Sequence, residues 1–194
     1  MKKYETFKKE IYYIKDSNKR KDLKLLLNSL PDYFYEIPAS STGKYHPSFA
    51  LKKGGLVRHT KVAVRIAHEL LENNTIGMKF TDNDKDLIIM ALVLHDGLKS
   101  GLEHSKYTKF DHPLLISKHI MEQKDDLSLD IDDIRKLCSM IESHMGEWTY
   151  DSYQKKEVLP KPKTAEQRFV HMCDFLASRK FLDVTFDKNN NIED

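Results

Sequence analysis

The stretch TDNDKDLIIMALVLHDGLKS, residues 81–100, decides the fold: a polar, acidic start leads into the apolar run Leu87–Leu94, which ends on His95-Asp96. Thr81, ahead of DNDKD, has the chemistry of a helix N-cap, because its hydroxyl can accept from a first-turn amide that has no partner within the helix. The pattern predicts a helix over 82–97. A His-Asp pair at the end of such a helix can offer an imidazole nitrogen to one divalent ion while its carboxylate bridges to a second. On either side stand isolated residues of the same ligand chemistry, namely His59, His112, His144 and Asp174.

Outward from this segment, apolar residues recur at three- and four-residue spacing and alternating stretches are short and rare, which predicts an all-α, single-domain bundle with a metal site in its core. Further helices are expected over 2–15, 19–29, 56–73, 112–123, 130–145 and 163–182, with Pro31, Pro38 and Pro47 breaking the chain before the third helix. Asp111 before HPLL reads as a second N-cap, and Pro113 is tolerated in the first turn, where its missing N–H would be unpaired anyway. Residues 1–37 are expected to form a helical extension packed on a domain of residues 38–186, and DKNNNIED at 187–194 a polar tail.

The chain has 194 residues, long enough for one domain with a sizeable core. Its net charge of +2 is the small difference between 32 basic and 30 acidic residues, so no global field demands a nucleic-acid partner. Cys138 and Cys173 lie in apolar-periodic stretches without CxxC spacing, which predicts reduced core thiols and excludes a cysteine zinc site. The basic start MKKYETFKKEIYYIK has no uninterrupted apolar core, and no run reaches the roughly 18 residues of a membrane span. A cytoplasmic protein without membrane contact is expected.

The ordered set His59, His95-Asp96, His112, His144 and Asp174 resembles the HD superfamily of metal-dependent phosphohydrolases, whose pattern runs His, His-Asp, further histidines and a late Asp. More closely, PASSTGKYHPSFALKKGGLVRHT (38–60), ESHMGEW (142–148) and VLPKPKTAEQRFVHMCD (158–174) resemble the HD domain of YhaM-type bacterial 3′-to-5′ exoribonucleases. The resemblance implies that His59, His95, Asp96 and Asp174 hold one ion, and that Asp96 bridges to a second held by His112 and His144. It also implies that Lys99, in the HDxxK arrangement, neutralises a substrate phosphate, so that Asp96 and Lys99 carry the catalysis. Two departures stand out. His144-Met145 occupies the place where those relatives often carry consecutive histidines. The first 37 residues read as too short for the oligonucleotide-binding barrel of the exoribonucleases, which puts processive RNA degradation in question.

Each residue also has an ordinary reading. Lys99 falls on the face of His95 and Asp96 if their helix continues, or is a solvated lysine at a helix C-terminus. His59 could be a polar helix-face residue, His144 a satisfied core histidine, and Asp174 a cap or a partner of Arg179. His171, three residues before Asp174, suits a residue that orients a ligand or meets substrate, and equally a buried structural histidine. His46 in the loop KYHPSF and Arg179 are further candidate substrate contacts. His119 is about 10 Å along its helix from His112, and His68 falls opposite His59; with His104 they are expected to be uninvolved. Gly54-Gly55 lacks a phosphate-loop pattern and reads as a tight turn delivering His59. Lys155, Lys156, Lys161 and Lys163 form a loop that could guide a polyanion or merely face solvent. Trp148 and Tyr150 could stack a base, pack into the core or form a lid.

The expected activity is hydrolysis of a phosphoester bond in a nucleotide or short single-stranded nucleic acid, through water activated by one or two divalent ions. Manganese leads, with iron, nickel, cobalt, magnesium and zinc as alternatives. Three rivals are a 3′-to-5′ exoribonuclease-like nuclease, a non-catalytic nucleotide-binding regulator, and a di-iron oxygenase of the same fold.

Overall fold

From Asp86 to Leu94 every residue of the central apolar run is buried. A helix apolar on all sides belongs in the middle of a core, and each fully buried Leu or Ile side chain contributes roughly 1.5–3 kcal/mol. The computed structural model, which describes residues 2–40 and 46–180, builds the remaining helices around this one. In chain order they are α1 (Lys8–Ile11), α2 (Ser17–Ser29), α3 (Gly55–Glu72), α4 (Asn74–Gly77), the central α5 (Asp82–Leu94), α6 (His112–Glu122), α7 (Ile131–Glu142) and α8 (Ala165–Ala177). Strands β1 (Tyr150–Asp151) and β2 (Lys156–Glu157) form a small antiparallel hairpin. Helices α3, α7 and α8 pack against α5, α3 also packs against α8, and α6 packs on α7. The all-α bundle read from the sequence is the observed architecture. No helix among the described residues is long and apolar enough to cross a membrane.

The amino-terminal residues share this core: Phe7, Ile11, Ile14, Leu23, Leu26, Leu27 and Phe34 belong to one buried cluster with α3 and α5. Two buried carboxylates lock them in place. Asp86 accepts from the amides of Lys15 and Asp16 at 2.8 and 2.9 Å, and Asp22 accepts from the amides of Ser128 and Leu129. This explains a correction to the first expected helix. In place of one helix over 2–15 there is a 3-10 turn, Lys3–Phe7, then α1 ending at Ile11. Beyond it the amides of Tyr12, Tyr13 and Ile14 tighten onto carbonyls three residues back, and those of Lys15 and Asp16 are taken by Asp86. Helix α2 accordingly starts at Ser17, two residues early, with Asp16 capping the amides of Asn18 and Lys19.

Thr81 and Asp84 form a full capping box at the start of α5. Asp111, in contrast, makes no side-chain cap bond at α6, where Pro113 removes one first-turn donor. Three other expected helices end early by more than one residue. Helix α5 stops at Leu94, not at residue 97, as the amide of Gly97 turns back onto the Leu94 carbonyl. Helix α7 stops at Glu142, not at 145, and α8 begins at Ala165 and ends at Ala177. The residues at 181–182 of that expected helix and the tail at 187–194 lie outside the described residues. The expected 155–163 loop carries strand β2, and α4 was not foreseen.

The glycine pair behaves as the tight turn foreseen. Gly54 has φ of +73° at the N-cap of α3, a conformation that favours glycine. A Cβ on Gly55 would collide with the Ala50 carbonyl and press on Pro38. One turn later α3 presents His59. Gly55→Ala is expected to destabilise the fold by about 1–3 kcal/mol, seen as a lower denaturant midpoint at unchanged slope. An unchanged midpoint would show that the turn gives way freely.

Candidate metal centre and its cavity

Five chain segments bring their histidines and acids to one point. His59 comes from α3 and Asp174 from α8, His95-Asp96 follow α5, His112 opens α6, and His144 lies two residues past α7. His59 Nε2 is 2.9 Å from Asp174 Oδ1, and His95 Nε2 is 3.3 Å from the same oxygen and 3.5 Å from Asp96 Oδ2. His112 Nε2 is 3.0 Å from Asp96 Oδ1 and 3.3 Å from His144 Nε2. All six residues assigned to metal by sequence are therefore in one cluster. Two groups within it, His59-His95-Asp174 and His95-Asp96-His144, have ligand atoms close enough to hold an ion.

The hydrogen bonds at the far side of each ring set its chemistry. His95, His112 and His144 place Nδ1 at 2.7 Å from the carbonyls of Leu92, Lys109 and Ile141, in each case three residues back. A carbonyl can only accept, so Nδ1 carries the hydrogen, and in the neutral ring Nε2 turns a lone pair inward. The facing Nε2 atoms of His112 and His144 then repel one another unless a cation lies between them. His95 Nε2 and Asp96 Oδ1 are buried without an aligned hydrogen bond, although histidine and carboxylate atoms crowd them. Proximity without hydrogen-bond alignment is the signature of donors converging on a common centre. This donor set of imidazole nitrogens and carboxylate oxygens fits a borderline divalent ion.

Electrostatics point the same way. Burial disfavours an imidazolium at His95, yet Asp96 and Asp174 outweigh it and raise the pKa to about 9. Burial would also raise the two carboxyls, but Lys99, His95 and His112 hold Asp96 well below the usual range, and His95 and His59 do the same for Asp174. His144 is lowered to about 3, first by burial and then by charge on His95 and His112. Two anionic carboxylates thus demand positive charge, which a proton on His95 answers in part and a divalent ion answers more fully by displacing it.

Above the cluster opens a cavity of about 440 Å³, lined by His46, His59, Asp96, Lys99, His144, Met145, Trp148, His171, Asp174, Phe175, Ser178 and Arg179. All four residues expected to meet substrate border it: Lys99, His46, His171 and Arg179. Lys99 is not a solvated lysine. It pairs with Asp96 Oδ2 from a 3-10 turn beyond α5, so it meets Asp96 although the helix has ended. Tyr33 braces that turn by donating to the Gly101 carbonyl and accepting from the Ser100 amide. The ring of His46 stands 5.5 Å from that of His59, and burial, then the charges of His59 and Lys99, lower its pKa to about 4. His171 donates Nδ1–H to the His144 carbonyl at 2.7 Å, bracing the turn that carries the His144 ring.

The residues expected to be uninvolved are elsewhere: His119 meets Ser29, His68 stacks on Tyr13 and His104 on Tyr33. The four lysines at 155–163 and Tyr150 are exposed and do not border the cavity. Contributors missed in the sequence include Ser178, Phe175 and Gly146. Phe175 forms a cavity wall, and its signal was its place beside Asp174 and four residues after His171. Gly146, with φ of +67°, leaves room for the His171 ring, which any Cβ there would strike.

The chain is similar to the 3′-5′ exoribonuclease YhaM of Listeria monocytogenes, with 25% identity over 183 residues, 89% of this chain and 53% of the relative. The YhaM of Listeria welshimeri is likewise 25% identical over 175 residues, covering 86% of this chain and 50% of the relative. The chain therefore spans about half the length of the curated relatives it matches. No family model and no solved structure matches it. Distant similarity to exoribonucleases thus coincides with a buried histidine–aspartate cluster able to hold metal.

Proposed function

We propose that this chain is an HD-type metal-dependent phosphohydrolase that cleaves a phosphoester bond in a nucleotide or at the end of a single-stranded nucleic acid. The carrying observation is the inward convergence of the His95, His112 and His144 Nε2 atoms on Asp96. In this reading His59, His95, Asp96 and Asp174 hold one divalent ion, and Asp96, His112 and His144 a second, with manganese the leading candidate. The HD-type unit is residues 38–186, with residues 1–37 packed against it.

Bound divalent ions would supply a water of lowered pKa and stabilise charge on the attacking and leaving oxygens. The protein does the positioning. Asp96 keeps one oxygen toward His112 and the other on Lys99, so that the Lys99 ammonium stays at the cavity edge to meet a substrate phosphate. His46, His171 and Arg179 border the space that the rest of the substrate would fill. A cavity of this size suits one nucleotide, free or at a strand end; similarity to exoribonucleases favours the strand end, with cleavage from the 3′ side.

Metal binding can be read without turnover. Manganese at about a hundred times its Kd should stabilise the fold by about 2.7 kcal/mol and raise Tm, reversed by a chelator and lost in Asp96→Asn. A Tm indifferent to every divalent ion would remove the metal centre. For activity, 5′-labelled single-stranded RNA should shorten from its 3′ end in manganese, and Asp96→Ala should abolish the ladder. Intact RNA beside hydrolysed mononucleotides would move the substrate to free nucleotides, whereas full activity in the Asp96 variant would end the site assignment. Lys99→Ala should retain its metal and lose about a hundredfold in kcat/KM, as expected for removal of one group that stabilises transition-state charge.

A further inference from the structure

One wall of the cavity is aromatic and cationic. Along α8 and its final turn, His171, Asp174, Phe175, Ser178 and Arg179 recur at i, i+3, i+4, i+7 and i+8, so all five share one helix face, and all five border the cavity. That single stripe, about 12 Å long, joins the metal-cluster carboxylate to an aromatic ring and a guanidinium. Trp148, from the loop after α7, completes the wall. Its ring lies 6.0 Å from that of Phe175 with planes 12° apart, and it remains 43% exposed beside the cavity. The Arg179 guanidinium sits 4.0 Å over the Phe175 ring and 5.6 Å from Trp148.

The chemistry narrows the occupant. Near-parallel aromatic rings offer a planar face on which every base can stack, which gives affinity without sequence preference. Arg179 places positive charge at that face, which repels the cationic ligands that aromatic cages otherwise bind and favours an electron-rich ring. An aliphatic ligand would gain nothing from the guanidinium. We propose that Trp148, Phe175 and Arg179 form a nucleobase-stacking subsite, which takes the base of the nucleotide whose phosphate meets Lys99. The assignment of that phosphate rests on the phosphohydrolase reading; the stacking face rests on its own geometry.

Trp148 is the sole tryptophan of the chain, so its fluorescence reports on this wall alone. Adenosine and adenosine 5′-monophosphate should quench it saturably, and ribose 5-phosphate should not. Phe175→Leu and Arg179→Met, each checked for wild-type thermal unfolding, should weaken adenosine 5′-monophosphate about tenfold and leave ribose 5-phosphate binding unchanged by calorimetry. Trp148→Phe, which keeps a stacking face, should retain affinity within about threefold, whereas Trp148→Leu should not. Equal quenching by ribose 5-phosphate, no saturable quenching by either base-bearing ligand, or equal losses for both ligands in the variants would overturn the subsite. Quenching by adenosine tests the subsite apart from hydrolysis, because adenosine has no phosphate to lose; saturable quenching in a metal-loaded protein that cleaves neither RNA nor mononucleotides would support the subsite and overturn the hydrolase reading.

Discussion

Two carboxylates, the buried Asp96 and the largely buried Asp174 at the cavity wall, stand within an apolar bundle, and the arrangement around them answers their charge. In such surroundings an unpaired carboxylate is costly, and breaking one side of a buried pair typically costs several kcal/mol. Lys99 on one oxygen of Asp96, His112 near the other, and His59 and His95 on Asp174 follow from that demand. His95, His112 and His144 cannot meet it as neutral hydrogen-bond donors, because their Nδ1 hydrogens are committed to carbonyls behind them. A cluster built this way is most stable around a cation. Were a divalent ion bound there, folding and metal binding would be two views of one equilibrium.

The amino-terminal segments matter to the cluster through α5 and the turn after it. Asp86, one turn from the start of α5, holds the backbone at Lys15 and Asp16, and the Tyr33 hydroxyl pins the turn at Ser100 and Gly101 that follows Lys99. The turn that delivers His59 is tied to the same region, as the Gly54 and Leu56 amides donate to the carbonyls of Glu36 and Ile37. Residues far from the cavity therefore set the positions of Lys99 and His59. Destabilising them would loosen the centre without touching a ligand.

The fold class was legible because three- and four-residue apolar spacing is a local property, and the residues that cluster because their order along the chain resembles a known pattern. Helix ends were less legible. Whether Lys15 and Asp16 continue a helix or leave it depends on Asp86, some 70 residues away, and no local propensity carries that information. The aromatic wall was half visible: Trp148 stood out by type, while Phe175 looked like one more apolar residue of α8. Gly146 was invisible as a requirement, since the ring it makes room for belongs to His171, which spacing alone does not bring beside it.

The errors at the helix ends have a functional meaning. A helix leaves its last four carbonyls without amide partners, and a histidine just beyond the end can donate Nδ1–H to one of them. His95 does this to Leu92 and His144 to Ile141, both in the last turn of their helices. Deeper inside a helix the same carbonyl would carry its i+4 amide bond; at the end of α7 Ile141 instead accepts from His144 twice, from its amide at 3.2 Å and from its ring at 2.7 Å. Placing metal-type ligands immediately past helix ends thus uses a defect of the helix as the brace for the ligand. A periodic pattern extended by one turn too many hides that device, because it puts His95 and His144 on helix faces when their chemistry depends on being off them.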